Sequence, residues 1–348
     1  MTRTCRLTPG NVGDSLRRLM AVRSSNEIEH FLRGHRSPYD LLLDTDSPSL
    51  LDLGAGDLSF IDELVSQYLP PLKIRDNTLT IHGLDRLRPG SMFGGPLHAD
   101  SGRLARLQRT DRLHFQFWGG VDMLAPAQLP DLLPRYTIVT CHAPATPTFA
   151  LEPSRISPAV MDRYLRQTKG EFKVVYEGGE EALEVLHRGR ALLFPPWKFE
   201  IRGPLILLDV LAHRGELCVL TAVDNEVFWE MLSQLVADPG MRPVDAIFTP
   251  ALIAELFGTI HMRLMALPVG GSVLLSDLAE LRADIPSVLG RQPGSYQFRY
   301  VEIRRGAVFP GTPASSTARR FNEMIEESPP WCLILVPERE KSGHDPVP

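Results

Sequence analysis

The run Leu50-Leu51-Asp52-Leu53-Gly54-Ala55-Gly56-Asp57-Leu58 places an acid inside a short apolar stretch and two glycines immediately after it, just before a helical pattern begins. Gly54 and Gly56 permit a tight turn and let a ligand approach backbone that a Cβ would shield. Further along, Asp85 closes a second apolar run, Asp122 and Met123 follow a third, and His142 stands at the end of a fourth. Imidazole has an ordinary pKa suited to proton transfer near neutrality, which makes His142 the candidate general base. Trp197, in Phe194-Pro195-Pro196-Trp197-Lys198-Phe199, offers an aromatic face against which a substrate could stack. Nothing in the sequence around Cys141 lowers a thiol pKa, so that residue reads as core.

These residues need strands and helices to position them. Short apolar strands are expected at 49–53, 79–84, 114–118, 136–141, 216–223, 297–303 and 332–336. A helix is expected from Ser59 to Leu69, with Phe60, Ile61, Leu64, Val65 and Tyr68 on its apolar face. The connection Pro70-Pro71-Leu72-Lys73-Ile74-Arg75-Asp76-Asn77 follows it, because proline punctuates helices. A short amphipathic piece at 15–20 and a helix capped by Ser25, with Glu27 and Glu29 in its first turn, precede the first strand. Strands alternating with helices imply right-handed crossovers and an α/β fold. Residues 143–202 break the rhythm. A segment rich in proline, serine and threonine is followed by strand patterns with turns at Gly178-Gly179 and Gly189.

An acid near the end of a first strand, followed by Gly-x-Gly, resembles the first motif of the class I S-adenosylmethionine-dependent methyltransferases. The resemblance implies that Asp52 supports the methionine end of the donor, and that Gly54, Ala55, Gly56 and Asp57 form the turn around it. Asp85, after Ile81-His82-Gly83-Leu84, is similar to the carboxylate that binds both ribose hydroxyls in that family, with Arg86 beside it as a further contact. A carboxylate accepts from two hydroxyls in a fork, and its charge strengthens both bonds. Asp122 is similar to the acid that receives the adenine amino group, and Met123 packs on the ring. Leu211 to Val219 resembles the family's helix, turn and fifth strand. The implied cofactor is S-adenosyl-L-methionine, with no metal.

The implied fold is a doubly wound, mostly parallel seven-stranded sheet with helices on both faces and an inserted β-containing elaboration. Residues 1–44 are then N-terminal helices covering the cofactor site, and 45–142 with 203–337 form the Rossmann-like core. Residues 143–202 are an inserted substrate lid carrying Trp197, and 338–348 are a disordered tail. The stretch from Gly56 to Asp85 is longer than usual in the family. No Asn/Asp-Pro-Pro-Tyr/Phe tetrad follows the fourth strand, which argues against methylation of amino groups on nucleic-acid bases.

Composition narrows the function classes. A net charge of −5 argues against a broad basic surface for nucleic acid. No run of about 18 apolar residues marks a spanning helix. The four cysteines are widely spaced and form neither a disulfide framework nor a zinc pattern. With no secretory pattern at the N-terminus, these features point to the cytoplasm and a small-molecule acceptor. A nicotinamide-dependent oxidoreductase shares the architecture, but its GxGxxG fingerprint needs glycine or alanine where this chain has Ser59. A nucleic-acid methyltransferase and a non-catalytic methyltransferase-like binding protein remain as alternatives.

Overall fold

Ser49–Leu53 (β1) is buried at every position, as a strand covered on both faces must be. It sits among Leu79–Asp85 (β2), Leu113–Gly119 (β3), Tyr136–His142 (β4), Gly215–Val223 (β10), Ser272–Leu274 (β11), Phe298–Arg305 (β12) and Pro330–Pro337 (β13). These form one eight-stranded sheet in the order β11-β12-β13-β10-β4-β1-β2-β3. The computed structural model describes residues 23–92, 98–121, 129, 131–142, 149–150, 172–187, 190–194, 200–201, 211–223, 262–278, 298–306 and 330–338.

β1 pairs in parallel with β2 and β4, β2 with β3, and β4 with β10. The chain therefore builds outward from β1 to β3 and returns on the other side to β4. The crevice between β1 and β4, at the carboxyl ends of the strands, is the topological switch point where such sheets bind ligands. Beyond β10 the sheet becomes mixed. β13 runs antiparallel to β10, β12 antiparallel to β13, and β11 antiparallel to β12. The seven-stranded expectation is corrected to eight strands of mixed direction. The additional strand, β11, is three residues long at the sheet edge, too short to show a period-2 pattern.

Each sheet face carries its own apolar core. Leu50, Ile81, Ile138, Leu217, Val219 and Ile334 pack with the helices Ser25–Gly34 (α1) and Ser59–Ile74 (α2), while Leu51, Leu84, Val139, Cys141, Cys218 and Leu333 face the other way. Successive residues of a strand alternate between the two. α1 packs on β10, β12 and β13. Its cap is Ser24, one residue before the expected one, in a reciprocal capping box with Glu27. Ser25 is buried instead and donates its hydroxyl to the Pro337 carbonyl at 2.6 Å.

α2 continues through Pro70 and Pro71 to Ile74, where the sequence suggested a break. Each proline removes a bond to the carbonyl four residues earlier, that is, to Ser66 and Gln67. Both of those residues are exposed, so water can satisfy their carbonyls. Leu69 and Leu72, buried on the opposite side, favour keeping the helix intact. A third helix, Ser101–Gln108 (α3), is capped by Asp100 and packs on β3 and α2.

Within 143–202, Phe149–Ala150 (β5) pairs with Glu200–Ile201 (β9), while Phe172–Glu177 (β6), Glu180–His187 (β7) and Arg190–Phe194 (β8) form a separate antiparallel sheet. Gly178 and Gly179 both have positive φ, 61° and 83°, as the two-residue turn of a right-twisted hairpin requires. Among the described residues no helix is long and apolar enough to cross a membrane.

A buried charged cluster lies on β12. Arg304 grips Glu302 through Nε and Nη2, both at 2.9 Å, and the Tyr300 hydroxyl donates to the same carboxylate at 2.8 Å. Glu302 is only 7% exposed. Glu302→Ala would strand a guanidinium there, so it should destabilise the protein by about 3–5 kcal/mol in urea denaturation. A loss below about 1 kcal/mol would mean that water compensates the pair as it does at a surface.

Candidate functional site at the carboxyl end of the sheet

The turn after β1 folds back across the end of β2. The amides of Gly54 and Ala55 both donate to the Leu84 carbonyl at 2.9 Å, and the Gly56 amide donates to Asp85 Oδ2 at 2.7 Å. Gly54 and Gly56 have φ of 78° and 53°, which a side chain would strain. The turn can lie this close because Gly83 has no Cβ. A methyl there would stand 3.3 Å from Ala55 Cβ, Ile61 Cδ1 and Phe117 Cδ2. Gly83 was missed as a site residue, although a glycine inside a buried strand signals close approach of other backbone.

Asp52 lies opposite Gly83 on one side and Thr140 on the other. It is 1% exposed, and the Thr140 hydroxyl donates to Oδ1 at 2.8 Å. Burial pushes its carboxyl up to about 7, the Thr140 bond opposes this, and the charge of Asp85 adds to it. Asp85, two residues beyond Gly83, shares that face. Its Oδ1 accepts from the Leu87 amide at 2.7 Å and its Oδ2 from Gly56. Burial raises its pKa, against the pull of these two backbone bonds. Arg86 follows, half-buried. Asp57 has a structural task. Its Oδ1 accepts from the Ser59 amide at 2.9 Å at the start of α2, and its Oδ2 and carbonyl accept from Arg103 Nη1 at 3.1 and 2.6 Å.

His142 ends β4 on the same face. Its Nε2 meets the Tyr39 hydroxyl at 2.8 Å and its Nδ1 the Thr221 hydroxyl at 2.7 Å, with the Phe60 ring centred 3.9 Å away. Burial lowers its pKa to about 3, so the ring stays neutral across the physiological range. A base is effective when its pKa lies near the working pH. With both nitrogens bonded to hydroxyls, His142 is held as a neutral imidazole. Tyr39, Phe60 and Thr221 around His142, and Thr140 on Asp52, escaped the sequence reading as site residues because apolar or hydroxyl residues in buried runs give no local sign of a partner distant in sequence. Asp122, Met123 and Trp197 lie outside the described residues.

The chain is similar to solved structures of the plantazolicin methyltransferase BpumL. In complex with SAH, that protein matches at 10% sequence identity and a TM-score of 0.31, with 86% of this chain and 80% of that chain covered. In complex with a pentazolic desmethylPZN analog and SAH, it matches at 10% identity and 0.32, with 94% and 90% covered. At that distance the likeness transfers no residue roles. No family model matches the chain, and no curated protein matches it.

The raised pKa of Asp52 has a definite sign. Below about pH 4 the acid is protonated in folded and unfolded chains alike, and its burial carries no penalty of charge. As pH rises toward 7 the unfolded chain ionises first, so stability falls across that window. Asp52→Asn keeps an acceptor for Thr140 and abolishes the loss. Between pH 5 and 8 the wild type should lose on the order of 3 kcal/mol relative to Asp52→Asn in denaturant melts. Parallel pH profiles for the two proteins would show that Asp52 ionises freely.

Proposed function

We propose that this protein transfers a methyl group from S-adenosyl-L-methionine to a small-molecule acceptor. The observation that carries the reading is Asp85. Its carboxylate is held by the Gly56 and Leu87 amides at the carboxyl end of β2, directly against the glycine turn and beside the switch point. A carboxylate offers about four lone-pair sites. Two backbone bonds leave room for the paired hydroxyls of a ribose, with the orientation already set. Asp52, on the same face, is proposed to support the methionine end of the donor. Asp122 and Met123 are proposed to hold the adenine, and Arg86 to flank the ribose.

A dinucleotide would also present ribose hydroxyls to an acid at this position. Two observations count against it. Ser59 opens α2 where the dinucleotide fingerprint needs glycine or alanine, and β13 runs antiparallel between β10 and β12, where the dinucleotide sheet order continues in parallel.

Methyl transfer from a sulfonium is an in-line displacement with a neutral leaving group. The protein's contribution is to align acceptor and methyl and to exclude water. His142 is proposed to shape the acceptor side as a neutral ring. Residues 143–202 are proposed to close over the site. Ser91 donates to Glu180 Oε2 at 3.0 Å, which ties the β6–β7 turn to the loop that follows Asp85. Trp197 would be one wall of the acceptor pocket. The net charge of −5 favours a small acceptor over nucleic acid.

Calorimetry tests the donor. S-adenosylhomocysteine should bind while NAD does not, and the opposite result would overturn the proposal. Gly56→Val should abolish binding by obstruction, with the fold retained. Asp85→Ala should weaken binding by about 1.5–3 kcal/mol, the range for hydrogen bonds to a charged group. An unchanged dissociation constant would move the ribose contact to another residue.

A further inference from the structure

The glycine turn is anchored from two sides. From β2, the Leu84 carbonyl and the Asp85 carboxylate hold the amides of Gly54, Ala55 and Gly56. From α3, Arg103 Nη1 reaches the Asp57 carbonyl at 2.6 Å and Asp57 Oδ2 at 3.1 Å. Between these anchors the chain ends in Leu58, a fully buried residue with φ of 67°. That left-handed conformation crowds a Cβ against the following carbonyl. Strain of this kind persists only where the surroundings over-determine it.

Rotating the Asp57–Leu58 peptide by half a turn takes Leu58 out of the left-handed region, and it swings the Asp57 carbonyl away from α3. Such a rotation must break two bonds, the one from the Leu58 amide to the Ala55 carbonyl at 3.0 Å and the charge-assisted one from Arg103 to the Asp57 carbonyl. Arg103 is itself held in place. Its amide donates to Asp100 Oδ1 at 2.6 Å, its Nε lies 3.6 Å from Asp62, and its side chain is 21% exposed. Its neighbour Arg106 pairs with the same Asp62 at 2.6 Å, while the Asp57 carbonyl of the turn is held by Arg103.

We propose that Arg103 is a positioning residue for the donor site, holding the Asp57–Leu58 peptide in the orientation that the ligand-binding turn requires. The proposal rests on the donor reading given above. Without Arg103 the turn divides between competent and rotated forms, and the apparent affinity falls by the competent fraction.

The experiment compares wild type, Arg103→Ala, Arg103→Gln and Arg106→Ala by amide hydrogen exchange at residues 54–59 and by calorimetry with S-adenosylhomocysteine. Both Arg103 variants should exchange faster at Gly56 and Ser59 and bind roughly tenfold more weakly. Arg106→Ala loses an ion pair of the same two helices, yet should match the wild type in both measurements. Unchanged affinity in the Arg103 variants, or an equal loss in Arg106→Ala, overturns the proposal. If the wild type binds no S-adenosylhomocysteine, the donor reading fails. The exchange rates then decide the role of Arg103 in the turn, and wild-type rates in the Arg103 variants refute it.

Discussion

The Leu84 carbonyl accepts two successive amides, those of Gly54 and Ala55, and this shared bond pins the turn after β1 to the end of β2. The bond demands backbone in a left-handed region at Gly54 and empty space above Gly83. Once the turn lies there, the Gly56 amide faces the Asp85 carboxylate and fixes its orientation. The start of α2 is set by the same turn, through Asp57 and Leu58, and α2 in turn covers the core on that face of the sheet. A carbonyl with two lone pairs can serve two donors, and that capacity is what the site is built around.

Around this anchor the protein buries groups that water would otherwise solvate. Asp52 and Asp85 lie on one sheet face, each held by hydrogen bonds but both pushed toward the protonated form. His142 is kept neutral between two hydroxyls. Buried groups with shifted pKa values concentrate at functional sites, because evolution tolerates their cost in stability there. The polar cluster of Tyr300, Glu302 and Arg304 is different in kind. Its charges are mutually paired, and it ties β12 to the α1 side by a bond from Arg304 to the Arg36 carbonyl.

The mixed half of the sheet and the β6–β7 turn both make contacts at this end of the molecule. Antiparallel β13 closes against β10 and brings Cys332 opposite Thr221, which in turn lies opposite His142 on β4. The β6–β7 turn reaches the loop after β2 through Ser91 and Glu180. Elements far apart in sequence thus converge on the carboxyl ends of β1, β2 and β4.

Seven of the eight strands of the large sheet were legible in the sequence, because inner strands covered on both faces, such as β1, β4, β10 and β13, are nearly continuous apolar runs, and β3 and β12 still carry enough apolar residues to stand out. The glycine turn was legible for a related reason, since only glycine fits where positive φ and close approach coincide. β11 and the continuation of α2 through Pro70-Pro71 were not legible, since three residues are too few to show a pattern and a proline's effect depends on whether its orphaned carbonyls reach water. The chain by itself thus determined the acid at 52, the turn at 54–57 and the acid at 85, all of which are local in register. Only the tertiary structure decided that Asp52 would meet Thr140, that His142 would be locked by Tyr39 and Thr221, and that Arg103 would grip Asp57. Those partners lie between 46 and 103 residues apart in sequence. A hydrogen bond between such partners exists only once strand order and register are set, and no local pattern encodes either.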